Sequence, residues 1–125
     1  VPSSTDTKVP INTVVYDTNN CFNTSTNRFT PNVAGYYQVN LMLYISAAGS
    51  SQGNGAIYKN GVVTKAQFLQ VSVNQILSIP ALVYLNGSSD YIEAYSYLST
   101  AGGVIAGTTG NAPFCYFQAY LARAA

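Results

Sequence analysis

The feature that most constrains the fold is an unbroken two-residue alternation that starts at Gly35 and continues to Ser46. Successive side chains of a β-strand point to opposite faces of the sheet, so this pattern predicts one long strand with two distinct faces. The apolar face, which we expect to be core, is formed by Tyr37, Val39, Leu41, Leu43 and Ile45.

The opposite face of the same strand fits neither a core nor an ordinary solvated surface. It mixes tyrosines with amides and a methionine, side chains that combine apolar area with a polar end and are common at protein contacts. We therefore predict a contact surface made by Tyr36, Gln38, Asn40, Met42 and Tyr44.

Further strands are predicted on both sides of this segment. Ile11 to Asp17 is rich in strand formers, and Asn60-Gly61 is a favoured type I′ hairpin turn. Ile76 to Leu85 is also predicted to be a strand, where Pro80 implies a bulge, a sheet edge or a late start. No window has a helical apolar stripe, so the chain is predicted to be an all-β sandwich or barrel.

Composition limits the classes of partner. The chain has 125 residues, enough for one domain at residues 11–125, with residues 1–10 predicted to be a lead-in or tether. Charged residues make up 7% and the net charge is +1, which disfavours nucleic acid and membrane insertion. Such low charge at a mean hydropathy of +0.14 suggests that partner subunits cover part of the surface.

The residues that could carry chemistry do not form a recognisable catalytic or metal site. The chain has no histidine, and Asp90 and Glu93 are predicted to point to opposite faces of a strand. We expect no enzymatic activity, no cofactor and no metal. Cys21 and Cys115 are either two free thiols, the favoured interpretation, or a disulfide that closes a long loop.

Binding is expected in loops or on exposed tyrosines. Three polar, small-residue loops are candidates, at Ala47 to Asn54, Asn86 to Asp90 and Ser99 to Ala112. The eleven tyrosines could offer a sugar-stacking or receptor surface, although most are expected to be core or subunit-interface residues. The predicted ligand-binding set is Asn54, Asn86, Ser88, Asp90, Tyr91, Tyr95 and Tyr97.

Several short motifs occur in an order that is characteristic of one family. The resemblance extends over nearly the whole chain from Ile11 to Ala122. The motifs are Arg28-Phe29-Thr30, Pro31 to Tyr37, Tyr58-Lys59-Asn60-Gly61, Leu82 to Leu85 with Asp90-Tyr91-Ile92, and Phe117-Gln118-Ala119-Tyr120-Leu121. Together they resemble the landmarks of the C1q/TNF-like globular head, and are most similar to C1q-like modules of bacteriophage virion fibres and bacterial surface proteins.

The resemblance implies a ten-stranded jelly roll that assembles as a homotrimer, with the first, third and last strands near the three-fold axis. The implied subunit interface comprises Tyr36, Gln38, Asn40, Met42, Tyr44, Tyr84, Tyr116, Gln118 and Tyr120.

Two functions follow as hypotheses. The first is a non-enzymatic recognition or adhesion head, at the tip of a phage fibre or surface appendage, that binds a host receptor or glycan. The alternative is a purely structural trimerisation or capsid-decoration module. Either role places the protein on the virion, whereas an extracellular or cell-surface C1q-like protein is the remoter possibility.

Overall fold

A computed structural model describes residues 4–46, 51–71, 74–99, 104–105, 108–109, 112–113 and 115–125. These residues form β-strands and turns, and none of them lies in a helix that could span a membrane. The strands are β1 (Thr7–Lys8), β2 (Phe22–Asn23), β3 (Arg28–Phe29), β4 (Gly35–Ser46), β5 (Ser51–Lys59), β6 (Val62–Val71), β7 (Gln75–Leu85), β8 (Ile92–Leu98), β9 (Val104–Ile105), β10 (Thr108–Thr109), β11 (Ala112–Pro113) and β12 (Tyr116–Ala124).

Two antiparallel sheets account for most of the described chain. The large sheet has the order β2-β3-β8-β5-β6, with β1 also paired to β8, and the small sheet has the order β12-β4-β7, with β9 also paired to β4. β10 and β11 form a separate two-stranded sheet. The predicted all-β fold is therefore confirmed, and the two main sheets are consistent with a sandwich.

The core lies between the inner faces of the two sheets. The predicted alternation of β4 is confirmed, because all five residues of its apolar face are buried. The core cluster includes four buried side chains from β7 of the small sheet and four from β5 and β8 of the large sheet, namely Leu77, Ile79, Val83 and Leu85, and Ile57, Ile92, Ala94 and Leu98.

The predicted hairpin at Asn60-Gly61 is confirmed. These residues have φ values of +51° and +80° and join β5 to β6, as a turn with two left-handed residues requires. Pro80 lies inside β7, which is an end strand of the small sheet among the described residues. Of the three possibilities left open by the sequence, Pro80 therefore satisfies the sheet-edge condition.

The predicted first strand at residues 11–17 is wrong. Side chains replace a strand ladder at both ends of this segment: Asn27 Oδ1 accepts the Ile11 N–H at 2.7 Å, and the Asp17 carboxylate accepts N–H groups from Cys21 and Phe22. Val15 is left 92% exposed. The first strand instead lies at Thr7–Lys8, within the proposed lead-in, where it pairs with β8.

The loop predicted at residues 47–54 is also partly wrong, because residues 51–54 belong to β5. Gly55, the next residue of β5, serves close packing rather than a turn, because a Cβ on it would lie 2.4 Å from Ile79 Cδ1 in the opposite sheet. Residues 47–50 lie outside the described chain. Parts of the predicted 99–112 loop also lie outside it, and the described part of that loop consists of Ser99, β9, β10 and Ala112 of β11.

Candidate functional site

The outer face of the small sheet gathers the predicted contact residues. Cross-strand register places Tyr36 of β4 opposite Tyr84 of β7, with ring centroids 5.5 Å apart, and Gln38 opposite Tyr120 of β12. All nine predicted interface residues share this face, namely Tyr36, Gln38, Asn40, Met42, Tyr44, Tyr84, Tyr116, Gln118 and Tyr120. Their contact role stays a prediction, since only their shared position is observed.

This face also contains residues absent from the predicted set. Leu82, opposite Gln38, is 61% exposed, and Ile76 opposite Tyr44 is exposed as well. The signal that could have identified them is their parity with Tyr84 along β7, because residues two apart share a face. Large apolar side chains exposed next to one another on a sheet are typical of a protein contact.

One end of the small sheet carries a shallow cleft of about 320 Å³ lined by Tyr36, Leu82, Ala122 and Arg123. A register shift between Leu121 and Arg123 places the Arg123 side chain opposite Tyr36. Arg123 is the only charged residue on the outer face of the small sheet within the described chain. The other residues of that face are neutral, although Lys59 Nζ of β5 lies 5.7 Å from the Tyr84 ring centroid at its margin, so charge repulsion between copies of the face is limited to these cations.

The outer face of the large sheet centres on Glu93, whose side chain is only 3% exposed. Its carboxylate accepts hydrogen bonds from Lys8 Nζ and, at 2.8 Å, from Arg28 Nε. Burial acts to raise the pKa of Glu93, but the hydrogen bonds from Arg28 and Lys8 outweigh it and lower that pKa. Glu93 is therefore a structural anion that joins β1 and β3 to β8.

The lowered pKa of Glu93 gives stability a defined pH dependence. A carboxylate with a folded-state pKa below its unfolded-state value stabilises the fold above that unfolded value, and this contribution disappears as the pH falls through the folded-state pKa. We expect the free energy of unfolding to decline as the pH drops below about 4.5, the ordinary pKa of glutamate.

The check is a series of urea titrations from neutral pH down to about pH 3, on the native chain and on Glu93→Gln. The variant should have a flatter profile, because it lacks the titrating group. A profile equally steep in both proteins would contradict the assignment.

The predicted ligand-binding tyrosines of β8 and its leading loop are half-buried. The Arg28 guanidinium lies 4.1 Å from the Tyr91 ring centroid, and Tyr95 stacks on Tyr58 at 4.2 Å. Burial raises the pKa of Tyr58, and its bond to Asp6 raises it further. Tyr91 and Tyr95 therefore already have intramolecular partners.

Tyr97 has a different setting from Tyr91 and Tyr95. Register places it opposite Asn54 of β5, and Asn54 lies opposite Phe68 of β6 on its other side. No described ring–ring contact involves Tyr97 or Phe68. Phe68 is 71% exposed and is absent from the predicted set. The two aromatic side chains thus flank one amide across three adjacent strands.

The predicted binding loop 86–90 is held by its own first residue. Asn86 Oδ1 accepts the backbone N–H groups of Ser88, Ser89 and Asp90 at 2.9–3.0 Å, and Asn86 Nδ2 donates to the Ser89 hydroxyl. Side-chain oxygens of asparagine commonly stabilise turns in this way. Asn86 is therefore a turn-forming residue, and Ser88 is exposed within that turn.

Asp90 connects this loop to the β5–β6 hairpin. Its carboxylate accepts hydrogen bonds from Asn60 Nδ2 at 2.8 Å and from the Asn86 N–H, and pairs with Lys59 Nζ at 3.1 Å. The Asn60 bond is the main cause that lowers the pKa of Asp90, with support from Lys59 and Asn86 against the opposing effect of burial. The Asp90 carboxylate thus stays ionised and fully engaged.

The two cysteines are free thiols, the interpretation favoured from the sequence. Burial raises the pKa of the Cys115 thiol, whose sulfur accepts the Tyr44 N–H at 3.1 Å. A protonated thiol is a weak nucleophile. Within the described residues no three His, Cys, Asp or Glu side chains cluster as a metal site would require.

Comparison with known proteins places the chain in no established group: no protein-family model matches it, and neither does any curated protein.

Proposed function

We propose that this chain is a C1q/TNF-like jelly-roll head that assembles as a homotrimer through the outer face of the small sheet. The single observation that carries this proposal is that face itself, a sheet surface with few charges on which Tyr36, Leu82, Tyr84 and Tyr120 are all exposed. Isolated soluble domains rarely expose so many adjacent large apolar side chains. Equivalent surfaces of symmetry-related copies can cover one another and remove that area from water.

The role that this assembly supports best is non-enzymatic recognition, as the tip of a phage fibre or surface appendage that binds a host receptor or glycan. If the small sheet faces the neighbouring subunits, the outer face of the large sheet is left for other partners. That second face carries aromatic and amide side chains on a rigid antiparallel scaffold, a composition suited to recognition. The motif order that resembles C1q-like modules supports the same role.

A purely structural module remains the second candidate, and one observation favours it. The 86–90 loop uses Asn86 and Asp90 for its own hydrogen bonds, so these two polar groups are less available to a ligand. Binding to host cells discriminates the two roles: the recognition head should bind cells of its host in a saturable manner, whereas a structural module should not.

The assembly is tested by replacing one exposed apolar residue of the proposed interface. We expect the native chain to sediment as a trimer at micromolar concentration and Leu82→Asp to weaken association by at least about a hundredfold, because three carboxylates would lose water in the interface. The matched control is Val15→Asp, which adds the same charge at an exposed position outside the small sheet. This control should remain trimeric.

A stable native monomer in sedimentation equilibrium would overturn the trimer. Equal dissociation by Leu82→Asp and Val15→Asp would instead show that the small sheet is not the interface.

A further inference from the structure

The outer face of the large sheet contains a row of three side chains with the elements of a ligand site. Tyr97, Asn54 and Phe68 lie side by side on β8, β5 and β6, in direct cross-strand register. Neighbouring strands are about 4.8 Å apart, so the two aromatic residues originate about 10 Å apart with the amide between them. That separation suits a single flat ring held between two aromatic side chains.

The amide at the centre of this row is unsatisfied. Asn54 Oδ1 is shielded from solvent, and no hydrogen-bond donor within the described chain reaches it. Buried acceptors without a donor are costly and uncommon, so each one calls for an explanation, and a bound group that donates to it is one such explanation. Phe68 lies opposite Asn54 and is 71% exposed, so its ring has room to move aside for a ligand donor.

Charge around the row restricts the ligand. On this outer face Glu93 binds both Lys8 and Arg28, and the Asp6 carboxylate accepts a hydrogen bond from the Tyr58 hydroxyl, so these two acids and two bases sum to zero charge. The next cross-strand pair beyond Asn54 and Phe68 is Gln52 and Gln70, which adds neutral amides. The surroundings therefore offer aromatic rings and amides without a net charge, which favours a neutral ligand.

We propose that the row formed by Tyr97, Asn54 and Phe68, hereafter the aromatic–amide row, binds a neutral saccharide ring. The apolar C–H face of the sugar packs on an aromatic ring, and a sugar hydroxyl donates a hydrogen bond to Asn54 Oδ1. A saccharide ring combines an apolar face with hydroxyl donors at its edge, which are the two features that an aromatic ring and an amide oxygen can contact. This inference rests on the proposed recognition function and names its ligand class and position.

The test is an array of neutral oligosaccharides built from glucose, galactose, mannose and N-acetylglucosamine, followed by calorimetric titration of the native chain with the oligosaccharide of strongest signal. Phe68→Ala should weaken binding by about tenfold or more, because truncation of an aromatic contact residue typically has that effect. Phe68→Tyr, which keeps the ring, should retain affinity. Tyr16→Ala, a change of another exposed aromatic residue outside the large sheet, should leave affinity unchanged.

The outcomes separate this inference from the function on which it rests. Saccharide binding that is equally strong in Phe68→Ala would overturn the aromatic–amide row and leave recognition intact at another surface. Absence of binding across the array would also overturn the row, and host-cell binding by the native chain would then still support recognition through a protein receptor. We expect Phe68→Ala to fold as the native chain does, because Phe68 lies outside the buried core, so a loss of binding reports on the contact itself.

Discussion

Replacing Gly87 by alanine is expected to lower the free energy of unfolding by about 2–4 kcal/mol, from backbone strain and overpacking together. Gly87 has φ of +74°, a left-handed conformation that alanine adopts at a cost. The new Cβ would also lie 2.3 Å from the backbone nitrogen of Ala34 and 2.6 Å from the carbonyl carbon of Val33. Backbone atoms cannot move aside as the end of a side chain can, so the 86–90 loop must separate from residues 33–34.

Gly61→Ala is the matched control for this prediction. Gly61 has φ of +80°, but a Cβ there would meet no atom within 4 Å. Only the conformational cost remains, so we expect a loss of about 1–2 kcal/mol. Urea denaturation of both variants at one fixed protein concentration measures the difference. Equal losses would mean that the clash at Ala34 contributes nothing.

Removing the charge of Glu93 is the second change with a large expected effect. Glu93→Gln should cost about 2 kcal/mol, somewhat less than for a fully buried ion pair, since Lys8 and Arg28 are partly exposed and can regain water. The loss arises because the neutral amide replaces two charge-assisted hydrogen bonds and cannot balance two nearby cations.

A double-mutant cycle with Lys8→Met isolates this interaction. If Lys8 and Glu93 are coupled as their contact indicates, the double variant should be less destabilised than the sum of the single variants. Lys65→Met serves as the control for loss of an exposed lysine and should change stability by less than about 0.5 kcal/mol. Strict additivity of Lys8→Met and Glu93→Gln would contradict the proposed ion pair.

Local sequence patterns were sufficient to predict the features whose geometry a short repeat or turn motif determines. The two faces of β4 and the turn at Asn60-Gly61 follow from rules that involve only a few neighbouring residues, and both are found in the structure. Leu82 follows the same rule on β7, yet it is absent from the predicted interface, because an aliphatic residue lacks the polar end that distinguishes the tyrosines and amides of that face.

Other features depend on contacts that no local pattern contains. Glu93 contacts Lys8 and Arg28 across 85 and 65 residues of sequence, and Gly55 of β5 leaves space for Ile79 of the opposite sheet. Residues 11–17 have strand propensity, but the Ile11 N–H donates to the Asn27 side chain and the Asp17 carboxylate accepts later backbone N–H groups, and these hydrogen bonds prevail over it. Strand propensity yields to such tertiary context.

The same difference between local patterns and long-range contacts explains why one candidate surface was easier to predict from the sequence than the other. The small-sheet face could be assembled from parity along single strands, whereas the aromatic–amide row needs the register of three strands that are separate in sequence. Asn54 and Tyr97 belong to the predicted ligand-binding set, but their adjacency and the participation of Phe68 appear only once β5 is paired with both β6 and β8.

The two outer faces lie on opposite sides of a single core, and this arrangement has an evolutionary consequence. Substitutions separated by a whole sandwich, without shared neighbours, have nearly independent effects on free energy. Residues on the large sheet such as Phe68 can therefore vary without a matching change at Leu82 on the small sheet. If the large sheet binds a ligand and the small sheet joins subunits, as proposed, single substitutions can alter recognition generation after generation while assembly continues.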